Sequence, residues 1–164
     1  MLLRPALIGD IDSIVALERS APAREFVGQW SSERHSNTLA SPDARYFVSQ
    51  SPAGTVDAYA ILRGLSESSG AVELKRIVVA RPGQGLGRRI LSELIRIAFE
   101  DLHAHRLFLD VFEDNARARH LYESLGFVYE GVLREAAQRD GTYVNLHLMS
   151  LLAHEYANRQ SAPA

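Results

Sequence analysis

The chain predicts an α/β domain: a sheet with helices on its faces, built from strands and helices in the order β-α-α-β-β-β-α-β-α-β-β. Three observations carry this expectation. Two extended runs, 55–62 and 71–79, flank the turn-rich segment 66–70 and form a hairpin pattern. A glycine-rich stretch, Gly83-Gln84-Gly85-Leu86-Gly87, is followed by an amphipathic helix over 90–102. That helix carries Ile90, Leu91, Leu94, Ile97 and Ala98 on one side and Ser92, Glu93 and Arg96 on the other. Two further strand candidates meet at Asp140-Gly141.

The remaining elements follow in order. Residues 2–6 form a short strand, and Asp10 caps a helix whose Ile11, Ile14, Val15 and Leu17 recur at helical spacing. Phe26, Val27, Trp30 and Leu39 are too far apart for a strand and predict a second helix over about 25–39. Pro42-Asp43 is a turn, and Tyr46-Phe47-Val48 opens a strand. Beyond the glycine stretch come a strand over 106–112, a helix capped at Asp114 and a break at Gly126. No linker divides the chain, so residues 1–157 read as one domain and 158–164 as a frayed, flexible tail.

Composition narrows the function. The 18 basic and 20 acidic residues give a formal charge of −2, which argues against a general nucleic-acid binder. No apolar run is long enough to span a membrane, and the N-terminus meets acids too early for a secretory signal. Cysteine is absent, which removes disulfides, thiolate metal sites and a catalytic thiol and fits a reducing cytoplasm. The scattered histidines form no H-E-x-x-H pair, so no metal is expected.

Chemistry concentrates at the glycine turn. Glycines let the backbone fold tightly and present successive N–H groups, and a helix start adds partial positive charge, which together suit a phosphate or pyrophosphate. Arg81, Arg88 and Arg89 add charge there. A Walker loop requires Lys-Ser/Thr after the last glycine, where this chain has Arg88-Arg89. The dinucleotide fingerprint requires a wider spacing than Gly83-x-Gly85-x-Gly87. By itself the motif is equally a plain strand-to-helix turn. Downstream, Asn115-x-x-Ala118-x-x-x-Tyr122-x-x-x-Gly126-Phe127 places Ala118 and Tyr122 on one helix face.

Taken together, GQGLGRR and N-x-x-A-x-x-x-Y-x-x-x-GF, separated by a helix and the strand HRLFLDVF, resemble the GNAT superfamily of acetyl-coenzyme A dependent N-acetyltransferases. The run EGVLREAAQRDGTYVNLHLMSLLAHEY is similar to the branch holding ribosomal-protein N-terminal and spermidine acetyltransferases. The resemblance implies the acyl-CoA N-acyltransferase fold, a mixed, mostly antiparallel central sheet with helices on both faces. It assigns Gly85 and Gly87, with the N–H groups of Gln84, Leu86, Arg88 and Arg89, to the pyrophosphate of coenzyme A. Ile77, Val78 and Val79 fall on the strand that runs along the pantetheine arm, through their backbone. Asn115 matches a residue that hydrogen-bonds the cofactor, with a helix cap as its alternative role. Tyr122 matches the tyrosine beside the thioester sulfur. Glu73 is the candidate general base, with a solvated carboxylate beside Lys75 as the alternative. The family's loop usually opens with Arg or Gln where this chain has Pro82, and Arg81 stands one place earlier.

The implied reaction moves an acetyl group from acetyl-CoA to a primary amine. Without a cysteine there is no thiol acyl-enzyme, so the amine is expected to attack directly in a ternary complex. The expected acceptor is a small-molecule amine or a protein N-terminal amine, and the expected assembly a homodimer. A non-catalytic acyl-CoA-binding sensor or scaffold module is the alternative.

Overall fold

A computed structural model describes residues 3–21 and 23–161; the strand expected at Leu2 and the tail at 162–164 lie outside them. In chain order the elements are β1 (Arg4–Pro5), α1 (Ile11–Arg19), α2 (Ser32–Leu39), β2 (Ala44–Gln50), β3 (Val56–Arg63), β4 (Ala71–Val79) and α3 (Leu86–Arg96). Then come β5 (Arg106–Phe112), α4 (Ala116–Ser124), β6 (Val128–Arg139), β7 (Thr142–Leu152) and α5 (Ala153–Ser161). The seven strands form one sheet in the order β1-β2-β3-β4-β5-β7-β6, and every neighbouring pair is antiparallel except β4 with β5. The mixed, mostly antiparallel sheet is thus as expected.

Helices cover both faces. On one, α1 and the segment after it bury Ile11, Ile14, Val15 and Trp30 against Tyr46, Val48, Tyr59, Ile61 and Val78. On the other, α3 and α4 close over Leu74, Leu107, Leu109 and Met149. Ile90, Leu91 and Leu94 are fully buried there, and each such side chain stabilises the fold by about 1.5–3 kcal/mol.

Four boundaries differ from the sequence reading. The second helix spans only Ser32–Leu39, with Ser31 as its cap. The preceding segment is held as a loop because the buried Glu18 carboxylate accepts the Trp30 N–H at 3.0 Å and the Gln29 amide donates to the Glu18 carbonyl. Helix α3 begins at Leu86, four residues before Ile90, so Gly87 is helical. Asn115, and not Asp114, caps α4 by accepting the Ala118 N–H at 3.2 Å, while Asp114 pairs with Arg139. Asp10 does not cap α1 through its side chain; it accepts the Leu7 N–H and pairs with Arg4.

The expected tail is also corrected. Residues 158–161 continue α5, whose start is fixed by Glu155 accepting the Leu152 N–H at 2.9 Å. Tyr156 stacks on Phe99 at 5.0 Å and donates to Glu100. Arg159 lies against Gly126, whose φ of +101° favours glycine.

Candidate active site

The site begins where two parallel strands part. β4 and β5 pair at Ala71–Arg106, Val72–Leu107 and Glu73–Phe108, and among the described residues nowhere beyond. On its far side β5 pairs with β7 along its whole length, and β4 stays on β3 to Val79. The stretch 74–79 therefore keeps one edge of backbone N–H and C=O groups with no strand beside it. Such groups need a partner, and a ligand carrying amides supplies one.

The resulting cleft encloses about 960 Å³. It is lined by β4 from Leu74 to Val79, by the glycine turn, by Asp110, Val111 and Phe112 of β5, by the first turns of α4 and by the loop before α2. At one end Gly83 and Gly85 adopt φ of +90° and +78°, a region open to glycine, and Gly85 starts α3 with no side-chain cap. The first N–H groups of α3 are thus left for an anion. Arg88 lines this end and donates to Ser124 Oγ at 2.6 Å.

Most of the expected site residues meet here. Ile77, Val78, Val79, Gly85, Gly87, Arg88, Asn115 and Tyr122 all line the cleft. Gln84 and Arg89 are exposed and outside the lining, and the side chain of Leu86 packs on the core. Arg81 is exposed and Pro82 occupies the lining in its place. The charge over the turn comes instead from Arg117 of α4, whose Nη2 lies 3.2 Å from where a Gly83 Cβ would be. Asn115 spends its oxygen on the α4 cap and keeps its amide NH₂ as a donor.

Tyr122 is buried at the centre, edge-on to Phe127 at 5.8 Å. Burial, and then the charge of Asp110, push its phenol well above the ordinary value, so it stays protonated at neutral pH. Glu73 is placed elsewhere. It is paired with Arg63, its cross-strand neighbour, and with Lys75 at 3.4 Å, and it is absent from the cleft lining.

Asp110, which sequence reasoning missed, lines the cleft where Glu73 does not and has no ion-pair partner among the described residues. It opens onto the cleft and is solvent-exposed, and the surrounding protein still pushes its carboxyl up, with Lys75 opposing and Glu73 adding to the shift. The one signal available was an acid on the alternate face of the apolar strand LFLDVF.

The model of the acetyltransferase (GNAT) family matches residues 15–127. The chain belongs to the GNAT acetyltransferase family. Within that family, it is 35% identical over 86 residues to the spermidine N(1)-acetyltransferase of Vibrio cholerae, covering 51% of this chain and 50% of that protein. The spermidine N(1)-acetyltransferase of Escherichia coli K12 is 30% identical over 110 residues, covering 59% of each. The chain thus spans half to three fifths of the length of these curated relatives. A solved structure of spermidine N-acetyltransferase from Vibrio cholerae in complex with CoA and spermine superposes with a TM-score of 0.84 at 25% identity, covering 95% of this chain and 97% of that one. No helix among the described residues of this GNAT chain is long and apolar enough to cross a membrane.

Proposed function

We propose that this GNAT protein transfers an acetyl group from acetyl-CoA to the primary amine of a small molecule by direct attack. The observation that carries this reading is the parting of β4 from β5 beside an uncapped helix start, with a buried phenol between them. The residues fit the cosubstrate: an unpaired strand edge for the amides of the pantetheine arm, and the turn N–H groups with Arg88 and Arg117 for its phosphates. Acetyl-CoA supplies an activated acetyl group and a thiol leaving group.

The chain's own groups handle the protons. Asp110 attracts the protonated amine and takes its first proton, passing it to solvent, which leaves a lone pair for attack. A backbone N–H of β4 near Val78 donates to the carbonyl oxygen as negative charge builds there. The C–N bond forms as the C–S bond breaks, and Tyr122 gives its proton to the departing sulfur. The nitrogen's second proton restores Tyr122. Glu73 acts on this path only through the charge it lends to Asp110.

A small molecule is favoured over a protein chain because Arg139 ties three walls of the cleft together. It donates to the Glu25 carbonyl at 3.1 Å and pairs with Asp114 at 2.6 Å. A cytoplasmic setting goes with the reading. The expected homodimer is supported by exposed Val128, Tyr129 and Val132 on β6, an edge strand, and light scattering tests it.

The deciding assay is thiol release from acetyl-CoA with a panel of amines. Release is expected, and Asp110→Asn should lower kcat by a hundredfold or more while the Kd for acetyl-CoA holds. Binding without release from any amine establishes the non-catalytic module instead.

A further inference from the structure

The two ends of the cleft differ in charge in a way that bears on the acceptor. At the glycine turn, Arg88 and Arg117 face the expected phosphates. Away from the turn the lining carries Arg34, Lys75 and Arg76, and against them stands a single uncommitted carboxylate, Asp110. Asp114 is held by Arg139, and Glu73 by Arg63 and Lys75. A polycation would need several carboxylates along its length, and here Lys75 and Arg76 are matched by Glu73 and Glu18, which leaves the unpaired Arg34 against Asp110.

Arg34 and Arg76 both stack on one ring. Their guanidinium carbons lie 4.1 and 4.3 Å from the centre of the Trp30 ring. Arg76 is buried and anchored through Nη1 to Glu18 at 2.9 Å and to the Gly28 carbonyl. Arg34 lies on α2 with no carboxylate within 4 Å among the described residues, so its fork is free for a planar anion.

On the reading that this site transfers acetyl groups, we infer that the acceptor is an α-amino acid, its ammonium facing Asp110 and its carboxylate held by Arg34 stacked on Trp30. The chain's Asp110 and Arg34, on β5 and α2, both line the cleft, which suits a molecule that carries both charges.

The test measures thiol release from acetyl-CoA with the common α-amino acids, their amides and spermidine, on the intact protein and on Arg34→Gln and Arg34→Lys. The best amino acid is expected to exceed its own amide in kcat/KM by tenfold or more, the range of a charge-assisted hydrogen bond. The amide has the less basic amine, so indifference to the carboxylate would favour the amide. Arg34→Gln should bring the pair within about twofold, through KM, and Arg34→Lys should restore part of the gap. Highest turnover with spermidine, equal rates for acid and amide, or an equal loss on both in Arg34→Gln overturns the inference and leaves the transferase standing. No release with any amine removes both.

Discussion

The proposed cofactor end and the proposed acceptor end of the cleft are built by different means. At the cofactor end the groups that matter are main-chain amides, displayed by Gly83 and Gly85 in left-handed conformations and by the uncapped start of α3. At the acceptor end they are side chains gathered from four separate segments: Trp30, Arg34, Arg76 and Asp110, with Glu18 behind them. Backbone geometry is written locally in residue type and spacing, whereas a constellation of side chains depends on how distant segments pack. The first kind of site tolerates change in its side chains but not in its left-handed glycines; the second depends on its side chains.

The largest expected effect breaks the acceptor end from beneath. Glu18 is fully buried, and its carboxylate meets Arg76 at 2.9 Å, the Tyr59 hydroxyl at 2.5 Å, His35 at 3.2 Å and the Trp30 N–H. Burial alone would raise its pKa, but the His35 contact, the hydrogen bonds from Tyr59 and Trp30 and the charge of Arg76 hold it below the usual value. Glu18→Gln leaves Arg76 buried without its counter-ion and should cost about 3–5 kcal/mol in urea unfolding. The sign of the pH dependence follows. A carboxylate whose pKa is depressed on folding stabilises above its unfolded value of 4.5, and that stability fades as pH falls through the lower folded value. Glu18→Gln should flatten this acid limb; a wild-type curve level below pH 4.5 would contradict the charged network.

Tyr122→Phe comes next and tests the meeting point of the two ends. The ring keeps its packing on Phe127, so the fold should hold, while kcat falls about a hundredfold, or about 2.7 kcal/mol, with the Kd for acetyl-CoA unchanged. Unchanged turnover removes the phenol from the mechanism.

The smallest effects separate two glycines of one motif. Gly85 sits at φ +78° with open space around it, so Gly85→Ala should cost about 1–2 kcal/mol from backbone strain and weaken cofactor binding. Gly87 is helical, and an added Cβ would meet only Leu121 and Val79 side chains at 3.9 Å. Gly87→Ala should therefore raise stability by up to about 1 kcal/mol. Thermal melts of the pair check the contrast; equal shifts would mean the turn is not built as described.

The same division explains what the sequence made legible. Gly85, the α4 face bearing Tyr122, the break at Gly126 and the hairpin of β3 with β4 were readable because each follows from local geometry. The cap on α4 was misplaced by one residue because Asp114 and Asn115 are equally good caps, and only Arg139, distant in sequence, claims the aspartate. Glu73 read as a base because Arg63, opposite it on β3, cannot be seen from its own strand. Asp110 and Arg117 escaped notice for the same reason: each is an ordinary polar residue until another segment arrives beside it. The loop before α2 read as helix because its apolar spacing is helical, while the buried carboxylate that holds it open lies on α1.

Backbone hydrogen exchange with and without acetyl-CoA tests the central claim most directly, since it reads the amides along the unpaired edge of β4. Added acetyl-CoA should slow exchange at 77–79 and at 84–88 and leave the fully paired β5–β7 ladder unchanged. Protection confined to other segments, or none at saturating acetyl-CoA, would show that the gap between β4 and β5 does not hold the cosubstrate.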